Sequence, residues 1–173
     1  LKDMVGAISN KNYLFLLLGL FFLSVLIGTH ETLSLYMVTF FWELTPYQIG
    51  FLIISNIIGY ALGFILAARL HRRFDKKATI VATCLLLTFF WSAAVNLRLL
   101  DLAPANSSWE LVLLIICLGS VSSAGGSILH ISVMSALADV ADENELKTGM
   151  RQEGIYYSAR AFFGKASNGV GHL

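Results

Sequence analysis

Four long apolar runs follow one another along the chain, separated by short polar breaks. The uncharged stretches from Asn12 to Thr29 and from Leu44 to Ala68 suit the roughly 20 residues that a helix needs to cross a hydrocarbon core. No proline interrupts residues 12–44, which predicts one long, tilted first helix. Thr45-Pro46 predicts the start of the second helix, with threonine as N-cap and proline at the first helical position. We therefore predict helices at about 12–42, 46–70, 78–100, 109–137 and 155–173.

The longest polar run, residues 138–154, separates the fourth apolar run from the start of a fifth near Ile155. It reads ADVADENELKTGMRQEG and contains five acidic and two basic residues. A connection between two membrane helices needs only to be polar, yet this one spaces its acids at 139, 142 and 145 and ends in a cluster of glycine, arginine and glutamate. We interpret residues 138–154 as a structured hinge.

The composition places the chain in a membrane. Hydrophobic residues make up 57% of it and charged residues 13%, and the mean hydropathy is +0.73. A soluble domain of 173 residues has too much surface for its volume to bury so many apolar side chains. We predict an all-α, polytopic transmembrane helix bundle. The net charge of +1 gives no reason to expect nucleic acid as a partner. Because the chain begins without methionine and stops inside an apolar segment, we expect a fragment of a longer protein.

Basic residues predict the orientation. They crowd the short connection 71–77, whereas the connections near residues 42–48 and 101–110 contain no lysine or arginine. The positive-inside rule then places the N-terminus, residues 71–77 and residues 138–154 in the cytoplasm of a multi-pass inner-membrane or plasma-membrane protein.

Polar side chains at membrane depth are the candidates for function, because an ionisable group there costs roughly 2.5–3.5 kcal/mol on insertion scales. The candidates are Lys165, Glu31, His30, His130 and Asn56. Each also has a structural explanation: Lys165 could reach an interface, Glu31 and His30 could satisfy each other, and His130 could be a packing residue. Asn56, like Gly59-x-x-x-Gly63 and the small residues 119–127, also suits close helix packing.

An enzymatic role finds little support. Ser127 and His130 share a helix face and suggest an intramembrane serine hydrolase, but nothing signals an oxyanion hole. The sequence has no phosphate-binding glycine loop, no HExxH motif and no paired cysteine ligands. We therefore predict no catalytic residues and no metal site.

The hinge carries a longer pattern. Residues 138–154 match A-D-x-x-D-x-x-E-x-x-T-G-x-R-x-E-G, and Tyr157-Ser158-Ala159, a phenylalanine at 162 or 163, and Lys165 continue it. This resembles the signature loop of the glycoside–pentoside–hexuronide:cation symporters, the family of the major facilitator superfamily typified by melibiose permease. Glu143 stands where that family usually has an aromatic residue, and Asp75 stands where the superfamily's basic loop more usually has glycine.

The resemblance implies that the chain is the C-terminal half of such a transporter, from its seventh helix to the start of its eleventh. Lys165 would match the family's eleventh-helix lysine, in the sugar and cation region. Asp139, Asp142, Arg151 and Glu153 would form a cytoplasmic charge network that holds the outward-open state. The main cation-binding carboxylates would lie in the N-terminal half, outside this chain.

We thus expect a cation-coupled symporter of sugars or glycosides that works by alternating access. Its expected partners are membrane lipid, the N-terminal half and a small sugar, with Na⁺ or H⁺ as coupling cation and no other cofactor. The alternatives are a carrier of the same fold for lysolipid or another organic solute, a purely structural membrane subunit and, remotely, the intramembrane hydrolase.

Overall fold

Helices make up nearly all of the chain that the computed structural model describes, residues 11–149 and 153–171. The α-helices in these described residues are α1 (Lys11–Tyr36), α2 (Pro46–Phe51), α3 (Ile53–Arg73), α4 (Lys76–Leu99), α5 (Trp109–Thr148) and α6 (Glu153–Gly171). The described residues contain no strand. Four segments are long and apolar enough to cross a membrane: Tyr13–Phe41, Pro46–Arg73, Lys76–Leu99 and Trp109–Lys147. The predicted all-α, multi-pass membrane fold is confirmed.

Contacts divide the chain into two compact units. One unit comprises the described residues up to Tyr36 together with those from Ser135 onward, and the other is Met37–Met134. In the first unit α1 packs against α6. Its core consists of Tyr13 and Leu17 from α1 with Leu137 and Ala141 from α5, and Tyr157 of α6 packs against them.

The fourth long helix extends beyond the predicted end near residue 137. α5 continues through most of the polar run to Thr148, because residues 138–148 contain no proline or glycine and carry a buried face at helical spacing. Leu137, Ala141 and Asn144 form that face. The helix stops at Gly149, whose φ of +69° is a conformation that glycine adopts without strain.

The first helix also differs from the prediction. Its α-helical part ends at Tyr36, and a π-helical turn, Met37–Phe41, carries the chain to residue 41. The wider turn is visible in the hydrogen bond from Trp42 N–H to Met37 O, at 2.9 Å. Trp42 and Leu44, which follow the turn, are buried against Leu111 and Val112. Burial of these side chains against a distant helix explains why no local pattern predicted the turn.

The predicted start of the second helix is confirmed. Thr45 caps α2, and Gln48 completes a capping box by accepting a hydrogen bond from Thr45 N–H at 2.9 Å. The buried Gln48 side chain also donates to Ser107 O at 2.8 Å. Asn106 Nδ2 donates to Phe41 O at 3.1 Å. These bonds join the connection before α2 to the connection before α5.

The core of the second unit includes a close, parallel contact between α3 and α5. The buried face of α3 carries Ser55, Gly59, Gly63 and Ala67. A Cβ atom on Gly59 would overlap Ser123, and one on Gly63 would lie 2.7 Å from Cβ of Ser127. Because residue numbers rise together along both helices, the contact is parallel. The two small-residue segments that the sequence singled out for close packing therefore pack against each other.

Candidate functional site

A hydrogen bond at membrane depth joins α3 to α5. Ser123 Oγ donates to Asn56 Oδ1 at 2.8 Å. Asn56 lies about 15 Å along the helix axis from Pro46, at about 1.5 Å per residue, which is half the thickness of a hydrocarbon core. Asn56 thus holds the helices together, as its structural explanation proposed. Asn56 is nevertheless exposed.

Further polar groups lie along the same side of this contact. Tyr60 follows Asn56 by one turn and is 57% exposed. Ser127 follows Ser123 by one turn and packs over Gly63, and His130 comes one turn later. His130 is exposed, unlike a buried packing residue. We call Asn56, Tyr60, Ser123, Ser127 and His130 the polar seam. The polar seam offers neutral hydrogen-bond donors and acceptors at membrane depth, where lipid tails cannot form hydrogen bonds with them.

The other candidates at membrane depth lie in the first unit. Glu31 on α1 and Lys165 on α6 are both exposed, and His30 is half-buried. Near the start of both helices, Tyr157 packs against the core that contains Tyr13. At about 1.5 Å per residue, Glu31 lies about 27 Å along α1 from Tyr13. Lys165 lies only about 12 Å along α6 from Tyr157. The two side chains lie at different depths and do not form an ion pair with each other.

Five of the seven charged residues of the polar run lie in the last turns of α5: Asp139, Asp142, Glu143, Glu145 and Lys147. Asp139 and Asp142 are exposed there. Lys147 pairs with Glu143 one turn away, an exposed i,i+4 ion pair of small energetic value. Arg151 and the side chain of Glu153 lie outside the described residues, so the network expected between these acids and Arg151 stays a prediction.

A second polar link between α3 and α5 was not predicted. Ser132 is fully buried, and its hydroxyl donates to Ile128 O at 2.7 Å. Ser132 Oγ also lies 2.7 Å from His71 Nε2, so the two side chains share a hydrogen bond. The sequence assigned His71 to a basic loop, whereas α3 extends to Arg73. Spacing alone offered a signal, because His71 continues the row 55, 59, 63, 67 at intervals of four.

The polar seam also contains two residues that sequence reasoning did not list as functional, Tyr60 and Ser123. The sequence contained a signal for both residues. Tyr60 lies one turn from Asn56, and Ser123 lies one turn from Ser127, on the two helices whose small residues predicted a close contact. Ser127 and His130, the pair considered for a hydrolase, also lie on this face, one turn apart. Among the described residues, no group of three or more histidine, cysteine or acidic side chains is placed to hold a metal ion.

Comparison with known proteins gives one match. The family model described as MFS/sugar transport protein matches residues 1–173. No curated protein matches the chain, and no solved structure does.

Proposed function

Because the chain belongs to the MFS/sugar transport protein family, within the major facilitator superfamily, we propose that it is the C-terminal half of a cation-coupled symporter of sugars or glycosides. Membership of the family and four membrane-crossing helices make the chain part of a multi-pass membrane transporter. The signature pattern from Ala138 to Lys165 supports the narrower assignment to the glycoside–pentoside–hexuronide:cation symporters.

The polar seam is the observation that carries the proposal. A sugar presents many hydroxyl groups, each able to donate and to accept a hydrogen bond. The seam offers an amide, two serine hydroxyls, a phenol and an imidazole, which together can serve both roles. Burying such groups without partners costs free energy, so Asn56, Tyr60 and His130, which are exposed at membrane depth, face water or a polar substrate rather than lipid tails.

Lys165, Glu31 and His30 would contribute charge to the transport pathway. An ammonium group at membrane depth, as at Lys165, is stabilised by sugar hydroxyls or by a carboxylate from the other half of the transporter. The coupling cation, Na⁺ or H⁺, would bind mainly to that other half. Cation and sugar together would then lower the free energy of the occluded state, which neither achieves alone.

The cytoplasmic side would contain residues 71–77 and 138–154. The basic residues of the first segment support this orientation in an inner or plasma membrane. Asp139, Asp142, Arg151 and Glu153 would link the two halves in the outward-open state and separate when the transporter switches.

Uptake of labelled sugars into vesicles, with and without an imposed cation gradient, tests the proposal, with the full-length transporter and its Lys165→Ala variant. Uptake that requires a cation gradient and is lost with the lysine supports a sugar symporter. Lys147→Ala is the matched control, because it removes an exposed lysine whose only described partner is Glu143, and we expect its uptake to be unchanged. No sugar uptake, with Lys165 dispensable, would instead favour a carrier of lysolipid or another solute.

A further inference from the structure

Basic side chains crowd the end of α3 and the start of α4. Segment 69–77 contains five lysine and arginine residues and one acid, Asp75. Four of the five are exposed: Arg69, Arg72, Arg73 and Lys77, which we call the basic patch. His71 is different, since its ring is bonded to the buried Ser132. The patch therefore presents positive charge outward with a single carboxylate in its own segment.

The length of the helix determines where the basic patch lies in a bilayer. At the opposite end of the same span, Tyr47, Phe51 and Trp109 pack edge-to-face with one another, with ring centroids 5.0 to 6.1 Å apart. Tyr47 and Trp109 are largely exposed, as is usual for aromatic side chains at a membrane–water interface. From Tyr47 to Arg69 the helix rises about 33 Å, slightly more than the roughly 30 Å of a hydrocarbon core. With the aromatic end at one interface, Arg69 reaches the headgroups of the other leaflet.

We propose that the basic patch is a binding surface for the phosphate groups of anionic phospholipids in that leaflet. The charges are complementary, and the planar guanidinium groups of three arginines suit two-point hydrogen bonding to phosphate oxygens. A basic side chain this close to an anionic surface favours association about fivefold. The inference depends on the membrane span and the charges alone, so it stands whether or not the substrate is a sugar.

The preference for anionic lipid tests the proposal directly. The full-length transporter is reconstituted in phosphatidylcholine bilayers, and spin-labelled phosphatidylglycerol and phosphatidylcholine are compared for association with the protein. In the variant Arg69→Gln/Arg73→Gln/Lys77→Gln, the preference for phosphatidylglycerol over phosphatidylcholine should fall by a factor of about ten or more. Arg72 is kept, because its Nε donates to Ala68 O at 3.3 Å and serves the helix end.

A charge-preserving variant, Arg69→Lys/Arg73→Lys/Lys77→Arg, is the matched control and should keep most of the preference. Added salt should weaken the association in the wild type, because it screens exposed charges. An unchanged preference in the neutralised variant would overturn the proposal. It would also fail if inorganic phosphate displaced phosphatidylglycerol better than chloride at equal ionic strength, since the patch would then be a site for free phosphate.

Discussion

The hydrogen bond between His71 and Ser132 is the residue-scale feature whose energy is easiest to isolate. Ser132→Ala removes the hydrogen-bond partner of His71 Nε2 and should lower the free energy of unfolding by about 0.5–1.5 kcal/mol. Ser122→Ala is the control, because Ser122 is also buried but bonds only to Gly119 O of its own helix. Its free energy of unfolding should therefore fall by less than that of Ser132→Ala. Thermal unfolding of the full-length transporter in detergent measures both, and equal losses would contradict an interhelical role.

Tyr60 provides a residue-scale test of the polar seam. Tyr60→Phe removes only the hydroxyl, so if that group bonds a sugar, the KM for uptake should rise about threefold to tenfold, the equivalent of one hydrogen bond. Phe64→Leu, one turn further along α3 and also exposed, should leave the KM unchanged. An unaltered KM in Tyr60→Phe would remove the tyrosine hydroxyl from the binding site.

At the scale of elements, the contact between α3 and α5 depends on the absence of side chains. Gly59→Ala would insert a methyl group into Ser123 and the Ser120 carbonyl, and forcing it in should cost about 1–3 kcal/mol. Gly50→Ala on α2 meets nothing within 4 Å, and its higher helix propensity should leave stability equal or slightly raised. The same unfolding assay compares them, and a neutral Gly59→Ala would show that the helices are free to separate.

Gly149 gives an element-scale test of the end of α5. Its φ of +69° is strained for any residue with a Cβ, so Gly149→Ala should cost about 1–2 kcal/mol of stability. Gly154→Ala, near the start of α6, has open space around it and no positive φ, and should be almost neutral. If hydrogen exchange and thermal unfolding do not distinguish the two variants, the helix end does not depend on that conformation.

The sequence predicted elements well where local patterns decide them. Uncharged length predicted the spans, Thr45-Pro46 predicted a helix start, and small residues at intervals of four predicted a close contact. Prediction from the sequence failed where contacts between residues far apart in the chain determine the structure. The polarity of residues 138–148 suggested a break, but Leu137, Ala141 and Asn144 bury a face of α5 that keeps this segment helical. Likewise, the choice of His71 and Ser132 as partners depends on the register between two helices, which no local pattern contains.

At the scale of the whole molecule, the proposed orientation can be tested by labelling. Lys77→Cys should react with a membrane-impermeant maleimide only from the cytoplasmic side, and Ala105→Cys only from the opposite side, because the span Lys76–Leu99 separates them. The native Cys84 and Cys117 are replaced by serine beforehand. The reagent reaches the outer side of the membrane in intact cells and the cytoplasmic side in inverted vesicles. Reaction of both positions from one side would refute four alternating crossings, and reaction from the reversed sides would invert the orientation.

The parallel contact between α3 and α5 also has a consequence for how the protein is made. Gly59 enters the membrane well before its partner Ser123, and the ribosome needs about 3 to 13 s for the residues between them at 5–20 residues per second. During that interval the groove on α3 is empty, while α4 is already being inserted. A nascent chain released after α4 should therefore be recognised as unfinished and degraded, and one released after α5 should persist. Pulse-chase measurement of the two truncated products would show whether the unit Met37–Met134 becomes stable only once α5 is present.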